Sequence, residues 1–192
     1  MNKLSSAAIV TEKLKSGMTV MIGGFMANGT PETLIDAILD SDITDLTLIS
    51  TDTGMPESGS GRLICAKRIN KLYASHIGLN PETGRQMNSG ELEVELVPQG
   101  TLAERIRSGG AGLGGVLTPT GLGTIVAEGK QIIEVDNKHY ILEKPLKADV
   151  ALIRGSIVDY KGNVFYKKTT RNFNPLTATT PPNAETGSHL NA

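Results

Sequence analysis

The stretch that most constrains this chain runs from residue 18 to residue 39. Met18-Thr19-Val20-Met21-Ile22 is a short apolar run of the kind that forms a buried strand. Gly23, Gly24 and Gly29 follow, spaced around Phe25-Met26-Ala27-Asn28. The segment from Pro31 to Leu39 then reads as a helix, with Thr30 as N-cap and Pro31 at a first helical position, where its missing N–H costs nothing. Glu32 complements the positive end of that helix. The bend between strand and helix has two readings. Glycine lets backbone approach a ligand closely, and free N–H groups at a helix start favour anions such as phosphates. Alternatively, the bend is only a tight connection that binds nothing.

Further along, strand and helix patterns alternate. Leu46-Thr47-Leu48-Ile49-Ser50 and Leu72-Tyr73-Ala74-Ser75 read as strands, with a short helix between them over residues 62–70. Residues 5–15 read as an amphipathic helix with Ala8, Ile9 and Leu14 on its apolar side. Leu92-Glu93-Val94-Glu95-Leu96 alternates, so Glu93 and Glu95 share a solvated strand face. Pro98-Gln99-Gly100-Thr101 is a second strand-to-helix turn, with Thr101 as N-cap and Glu104 in the capping-box position. Hairpins are expected around Asp136-Asn137-Lys138 and Lys161-Gly162-Asn163, and residues 149–153 read as a core strand. The alternation predicts an α/β fold with a mostly parallel central sheet flanked by helices, to which the hairpins add antiparallel strands.

The chain has 192 residues and no internal break, as one domain with a full core would. Lys plus Arg number 19 against 20 Asp plus Glu, and the basic residues are scattered, so no nucleic-acid surface is expected. The single cysteine, Cys65, allows no internal disulfide, reads as a buried small hydrophobe, and suits a reducing cytoplasm. No apolar run approaches the roughly 18 residues that span a bilayer, and the N-terminus has no signal-peptide pattern. No membrane association is expected, and the expected location is cytoplasmic.

Most motifs that could carry chemistry fail on context. Gly110-Ala111-Gly112-Leu113-Gly114-Gly115 matches a dinucleotide loop formally, but it follows a helix and Pro119 interrupts the next one. His76, His139 and His189 have no clustered partners, so no metal site is expected. No serine sits in a nucleophile elbow. Gln99 stands out because it lies at the carboxyl end of a strand, where open α/β sheets bind ligands. A neutral amide there can donate to a developing oxyanion. It can equally brace the loop.

The residues from Ser16 to Pro31 resemble the signature of the alpha subunits of family I coenzyme A transferases, with Ser16 where that signature has an acidic or amide residue. Residues 90–96, Pro98-Gln99-Gly100-Thr101, Gly109-Gly110-Ala111-Gly112, Leu117-Thr118-Pro119-Thr120-Gly121 and Arg171-Asn172-Phe173-Asn174-Pro175 look like the same family in the same order. The match covers about residues 4–178 and is similar to the alpha subunits of bacterial acetate/butyrate–acetoacetate coenzyme A transferases. The resemblance implies the family's three-layer fold and a ping-pong transfer of coenzyme A between acetyl-CoA or butyryl-CoA and acetoacetate or a related short-chain carboxylic acid. It implies a covalent glutamyl-CoA intermediate on a beta subunit, in an α2β2 assembly, so no nucleophile is assigned to this chain. Coenzyme A is then a substrate, and no cofactor is held tightly. Gly23, Gly24, Phe25, Met26, Ala27, Asn28 and Gly29 would lie against coenzyme A, and Gln99 beside the thioester. Thr51 or Asp52 stands where the family often has an amide, and Asp52 reads equally as a loop cap.

The C-terminus departs from the pattern. Thr179-Thr180-Pro181-Pro182 replaces the family's apolar strand, so residues 1–178 are expected to form the transferase domain and 179–192 a disordered or loosely attached tail. A catalytically inactive ligand-binding relative lacking a completed C-terminus is the competing reading. A sugar-phosphate isomerase would need its own acid/base pair, and the chain shows none.

Overall fold

The computed structural model describes residues 3–179 and 184–188. Its first half is a run of strand–helix units: α1 (Ile9–Lys13), β1 (Thr19–Ile22), α2 (Glu32–Leu39), β2 (Leu46–Ile49), α3 (Gly61–Cys65), β3 (Ile69–Ala74), α4 (Pro81–Ser89), β4 (Glu93–Leu96) and α5 (Gln99–Gly110). Then come β5 (Val116–Thr118), β6 (Ile132–Val135), β7 (Lys138–Glu143), β8 (Val150–Gly155), β9 (Ile157–Val158), β10 (Val164–Phe165), α6 (Asn174–Thr177) and β11 (Ala184–Ser188). The central sheet has the order β11-β8-β1-β2-β3-β4, and every pairing in it is parallel. The expected mostly parallel α/β sheet is therefore present, and the antiparallel strands form two small sheets, β5-β7-β6 and β10-β9.

Strand alternation divides the core between the two faces of the sheet. Val20 and Ile22 of β1, Leu48 of β2, Leu72 and Ala74 of β3, and Val150 and Leu152 of β8 pack on one side, against α1, α2 and α3. Met21, Ile49, Tyr73 and Ala151 point to the other, where Leu102 and Ile106 of α5 meet them with Phe173 and Leu176. Three layers result from a sheet apolar on both faces, as parallel strands require. The β5-β7-β6 sheet is tied on by Arg105, which donates to Lys144 O (2.9 Å) and to Glu95 Oε1 (2.6 Å). The buried Glu143 carboxylate is met by Lys130 at 2.7 Å.

Several expectations are corrected. The α1 helix is shorter than residues 5–15, and Val10 with Leu14 forms its buried side, while Ala8 is exposed. Thr30 and Thr101 are not side-chain caps: α2 begins after Pro31 and α5 after Pro98, which places Thr101 inside its helix. Cys65 is exposed, not buried, because the short α3 ends on it. Partial desolvation and the Glu82 charge push its thiol up, so it is not primed as a thiolate. Within the tail expected to lie loose, Ala184–Ser188 runs as β11 beside β8. The open edge of β8 presents unpaired backbone groups that an extended segment can satisfy. The rest of residues 180–192 lies outside the described residues.

The α4 helix was not anticipated. Asn80 caps it by accepting from Glu82 N, Pro81 opens it and Gly90 closes it in a left-handed conformation. Arg85 bridges Glu82 (2.8 Å) and Glu91 (2.7 Å), and Lys67 also reaches Glu91. Hydrogen bonds from Arg85 and Gln86 hold the Glu82 carboxyl down to about 2, and Arg85 with Lys67 holds Glu91 below the usual carboxylate range. Depressed carboxyl pKa values support the folded state above their ordinary range, and that support disappears as pH falls toward the folded values. Protection of the α4 amides, taken relative to their intrinsic exchange at each pH, should therefore fall between about pH 4.5 and about 2. High salt should shrink the effect, because these groups are solvent-facing.

Candidate functional site

Strand β1 lies between β8 and β2, and the chain leaves it toward β2 and returns on its other side at β8. The carboxyl ends of strands around such a switch point open a crevice. A cavity of about 610 Å³ occupies it. Phe25 and Met26 enter from the bend after β1, and Thr51 from the end of β2. Ser75, His76 and Leu79 follow β3, and Gln99 opens α5 after β4. Asn172 and Phe173 complete the wall from a segment far along the chain.

The bend after β1 is a built structure. Phe25 and Asn28 exchange backbone hydrogen bonds of 3.0 and 2.9 Å across Met26 and Ala27. Both central residues have positive φ, 51° and 63°, as in the two-residue turns that normally take Asn-Gly. Left-handed conformations in ordinary residues cost about 1–2 kcal/mol each, so something must hold them. The buried Asp52 does: its Oδ2 accepts Met26 N at 2.7 Å and its Oδ1 accepts Gly54 N at 3.0 Å. Of the two readings of Asp52, the loop cap is the one its contacts describe. Phe173 also has positive φ, 54°, so two strained residues line the cavity, where such strain tends to collect.

The glycines serve packing beneath the cavity. A Cβ on Gly23 would come 2.1 Å from Asn174 Oδ1, and one on Gly29 would come 3.0 Å from Asn174 Nδ2. Asn174 is fully buried; it accepts from Arg154 N (2.9 Å) and donates to Gly29 O and Thr170 O (both 2.8 Å). Gly24 has φ 110°, and a Cβ there would meet Thr30 Oγ1 at 2.3 Å. Ala27 packs on Gly59 of the next loop. Of the seven bend residues expected at the site, Phe25 and Met26 line the cavity, and the other five shape the turn that presents them. Gly24→Val should thus disturb the bend itself, lowering stability by about 2 kcal/mol in urea unfolding.

Gln99 is where the sequence placed it, exposed at the cavity mouth. Ser75 Oγ hydrogen-bonds to Gln99 Oε1 and lies 2.8 Å from Thr51 O. With Oε1 engaged, Nε2 is the amide atom left to donate to a ligand. Thr51 is 3% exposed, and its hydroxyl has no hydrogen-bond partner among the described residues. A buried hydroxyl beside a cavity without a protein partner is a contact a ligand can complete. Among the described residues no carboxylate and no lysine or arginine lines the cavity. Ser75, His76 and Leu79 were missed as site residues; their one legible signal is position just past a strand end. Among the described residues no group of His, Cys, Asp and Glu could hold a metal, and no helix is long and apolar enough to cross a membrane.

These features define a cleft on a three-layer α/β chain, with hydrogen-bonding side chains at its mouth and, among the described residues, no carboxylate in its lining. The chain belongs to the coenzyme A transferase family, whose model matches residues 3–186. It is 56% identical over 176 residues to the acetate CoA-transferase subunit alpha of Escherichia coli K12, covering 92% of this chain and 80% of that one. It is 59% identical over 164 residues to the acetoacetyl-CoA:acetate/butyrate CoA transferase alpha subunit of Clostridium acetobutylicum, covering 85% and 75%. Glutaconate coenzyme A-transferase from Acidaminococcus fermentans shares the fold at TM-score 0.79 and 15% identity, over 96% of this chain and 68% of that one. So does the acyl-CoA transferase of Escherichia coli O157:H7 in its thioester complex with CoA, at TM-score 0.80 and 20% identity, over 97% and 42%.

Proposed function

We propose that this chain is the alpha subunit of a heteromeric transferase that moves coenzyme A between acetyl-CoA or butyryl-CoA and acetoacetate or a related short-chain acid. The observation that carries this reading is the cavity itself. It sets the hydrogen-bonding side chains of Thr51, Ser75 and Gln99 beside an apolar wall of Phe25, Met26, Leu79 and Phe173, in a space large enough for an acyl thioester, and no carboxylate of the described residues lines it. A glutamate of the beta subunit would attack the thioester carbonyl, giving a mixed anhydride and free CoA thiolate. The thiolate would then attack the glutamyl carbonyl, releasing the first acid and leaving glutamyl-CoA for the second acid to reverse. In each step charge grows on a carbonyl oxygen, and Gln99 Nε2 with the Thr51 hydroxyl are the donors this chain offers it.

Names of the relatives as alpha subunits support a partner chain. Large apolar side chains left exposed on the small sheets and on the turn joining β5 to β6, Ile125, Ile157 and Phe165 among them, are consistent with surface covered by one. We take the assembly as α2β2, the location as cytoplasmic, and residues 1–178 as the transferase domain, whose central sheet Ala184–Ser188 extends at the edge of β8. Mixing this chain with a cognate beta subunit should convert acetoacetate and acetyl-CoA to acetoacetyl-CoA, and neither chain alone should do so. A silent mixture of two folded, associated subunits would favour the non-catalytic relative instead.

A further inference from the structure

Coenzyme A carries several phosphate charges on its nucleotide end, yet among the described residues no lysine or arginine lines the cavity. Cations for those charges lie outside it, on this chain or on its partner. Most cations of the strand–helix half are already committed: Arg62 to Glu32 and Asp36, Lys71 to Glu93, Arg85 to Glu82 and Glu91. The segment Lys167-Lys168-Thr169-Thr170-Arg171 is different. It places three cations within five residues without an acidic one, all three are exposed, and none makes an ion pair among the described residues.

Its position is fixed by contacts with the site. A Cβ on Gly29 would lie 3.1 Å from Thr169 O and 3.4 Å from Thr170 Cα, so the segment flanks the bend after β1. Asn174 Nδ2 bonds both Gly29 O and Thr170 O, locking the two together. Arg171 leads directly into Asn172 and Phe173, which line the cavity. A single 3-10 turn over Lys168–Arg171, with Lys168 at φ 51°, sets these side chains on a defined scaffold.

We propose that Lys167, Lys168 and Arg171 form the binding site for the phosphate groups of the acyl-CoA nucleotide, at the lip of the cavity that receives the thioester. The inference rests on the transferase reading for the identity of the ligand. Charge complementarity is the driving term: a phosphate accepts charge-assisted hydrogen bonds from lysine and arginine, and arginine can do so through two N–H groups at once.

The test uses the assembled complex carrying Lys167→Gln, Lys168→Gln and Arg171→Gln together, which removes the charges and keeps side chains of similar polarity. Adenosine 3′,5′-bisphosphate, titrated calorimetrically, should bind the variant about tenfold or more weakly than wild type, since one lost charge-assisted contact is worth about that factor. Its salt dependence should also flatten. In turnover, KM for acetyl-CoA should rise by a similar factor, while KM for acetyl-pantetheine, which lacks the nucleotide, stays unchanged. Equal nucleotide affinity in variant and wild type, or no nucleotide binding by wild type, overturns the proposal. Equal losses for both thioesters overturn it too, by showing general damage to the cleft. If the wild-type complex transfers no coenzyme A, the transferase reading fails, and the nucleotide titration still decides this site on its own.

Discussion

Gln99→Ala is expected to lower kcat of the assembled transferase by about a hundred- to a thousandfold, the range for one lost oxyanion donor. The fold should not register the change. Gln99 is exposed at the cavity mouth, and its recorded side-chain contact is with Ser75. Substitutions at such surface positions usually stay within about 0.5 kcal/mol in stability. A loop-bracing glutamine would give the opposite pattern, with altered unfolding and near-normal turnover. Ser75→Ala supplies a graded control. It removes the hydroxyl that engages Oε1 and leaves the amide in place, so a loss of about threefold to tenfold in kcat is expected, the equivalent of one neutral hydrogen bond. If both variants turn over at the wild-type rate, Gln99 returns to a structural part.

Asn174→Ala should produce the largest loss of stability. One buried carboxamide serves Arg154 N, Gly29 O and Thr170 O, joining β8, the glycine bend and the segment before α6. Its removal strands three backbone groups that were satisfied by it. Each such group costs about 1–3 kcal/mol, so a loss of about 3 kcal/mol or more is expected. For a chain of this size that corresponds to a fall in Tm of roughly 6–12 °C. Asn174→Asp separates the contributions. It keeps an acceptor for Arg154 N and loses the donor to both carbonyls, while burying a charge, so it should be no milder than alanine. A loss under about 1 kcal/mol for either variant would mean that the bend is held by Asp52 and the neighbouring loop alone. Because Phe25 and Met26 ride on this bend, KM for acyl-CoA should rise in the same variants.

What was legible in the sequence was mostly local. The short apolar run from Met18 to Ile22 read as a buried strand, and β1 lies there in a sheet apolar on both faces, while Pro31 marked the start of α2 to within a residue. Gln99 was expected just past a strand end, and it opens α5 there, after β4. The meaning of the bend's glycines was not legible, because it depends on Asn174, 145 residues from Gly29. Nothing local to Gly23 reveals that a carboxamide lies against it. The α4 helix was missed for another reason. Its residues, Pro81 to Ser89, are almost all polar, so no apolar stripe announces it, although Asn80-Pro81-Glu82 carried a start signal. Thr101 failed as a cap because α5 begins two residues earlier, at Gln99. Thr51 was marked by the family resemblance, but Ser75 is an ordinary residue in sequence, and only the pairing of β2 with β3 brings the two to one wall.

The central claim is that this subunit supplies the cleft and its partner supplies the carboxylate. Incubating the assembled complex with acetyl-CoA, in the absence of an acceptor acid, and weighing each intact chain tests it most directly. The account predicts a coenzyme A adduct on the beta subunit and an unmodified mass for this chain. An adduct on this chain, or turnover by this chain purified alone, would contradict it.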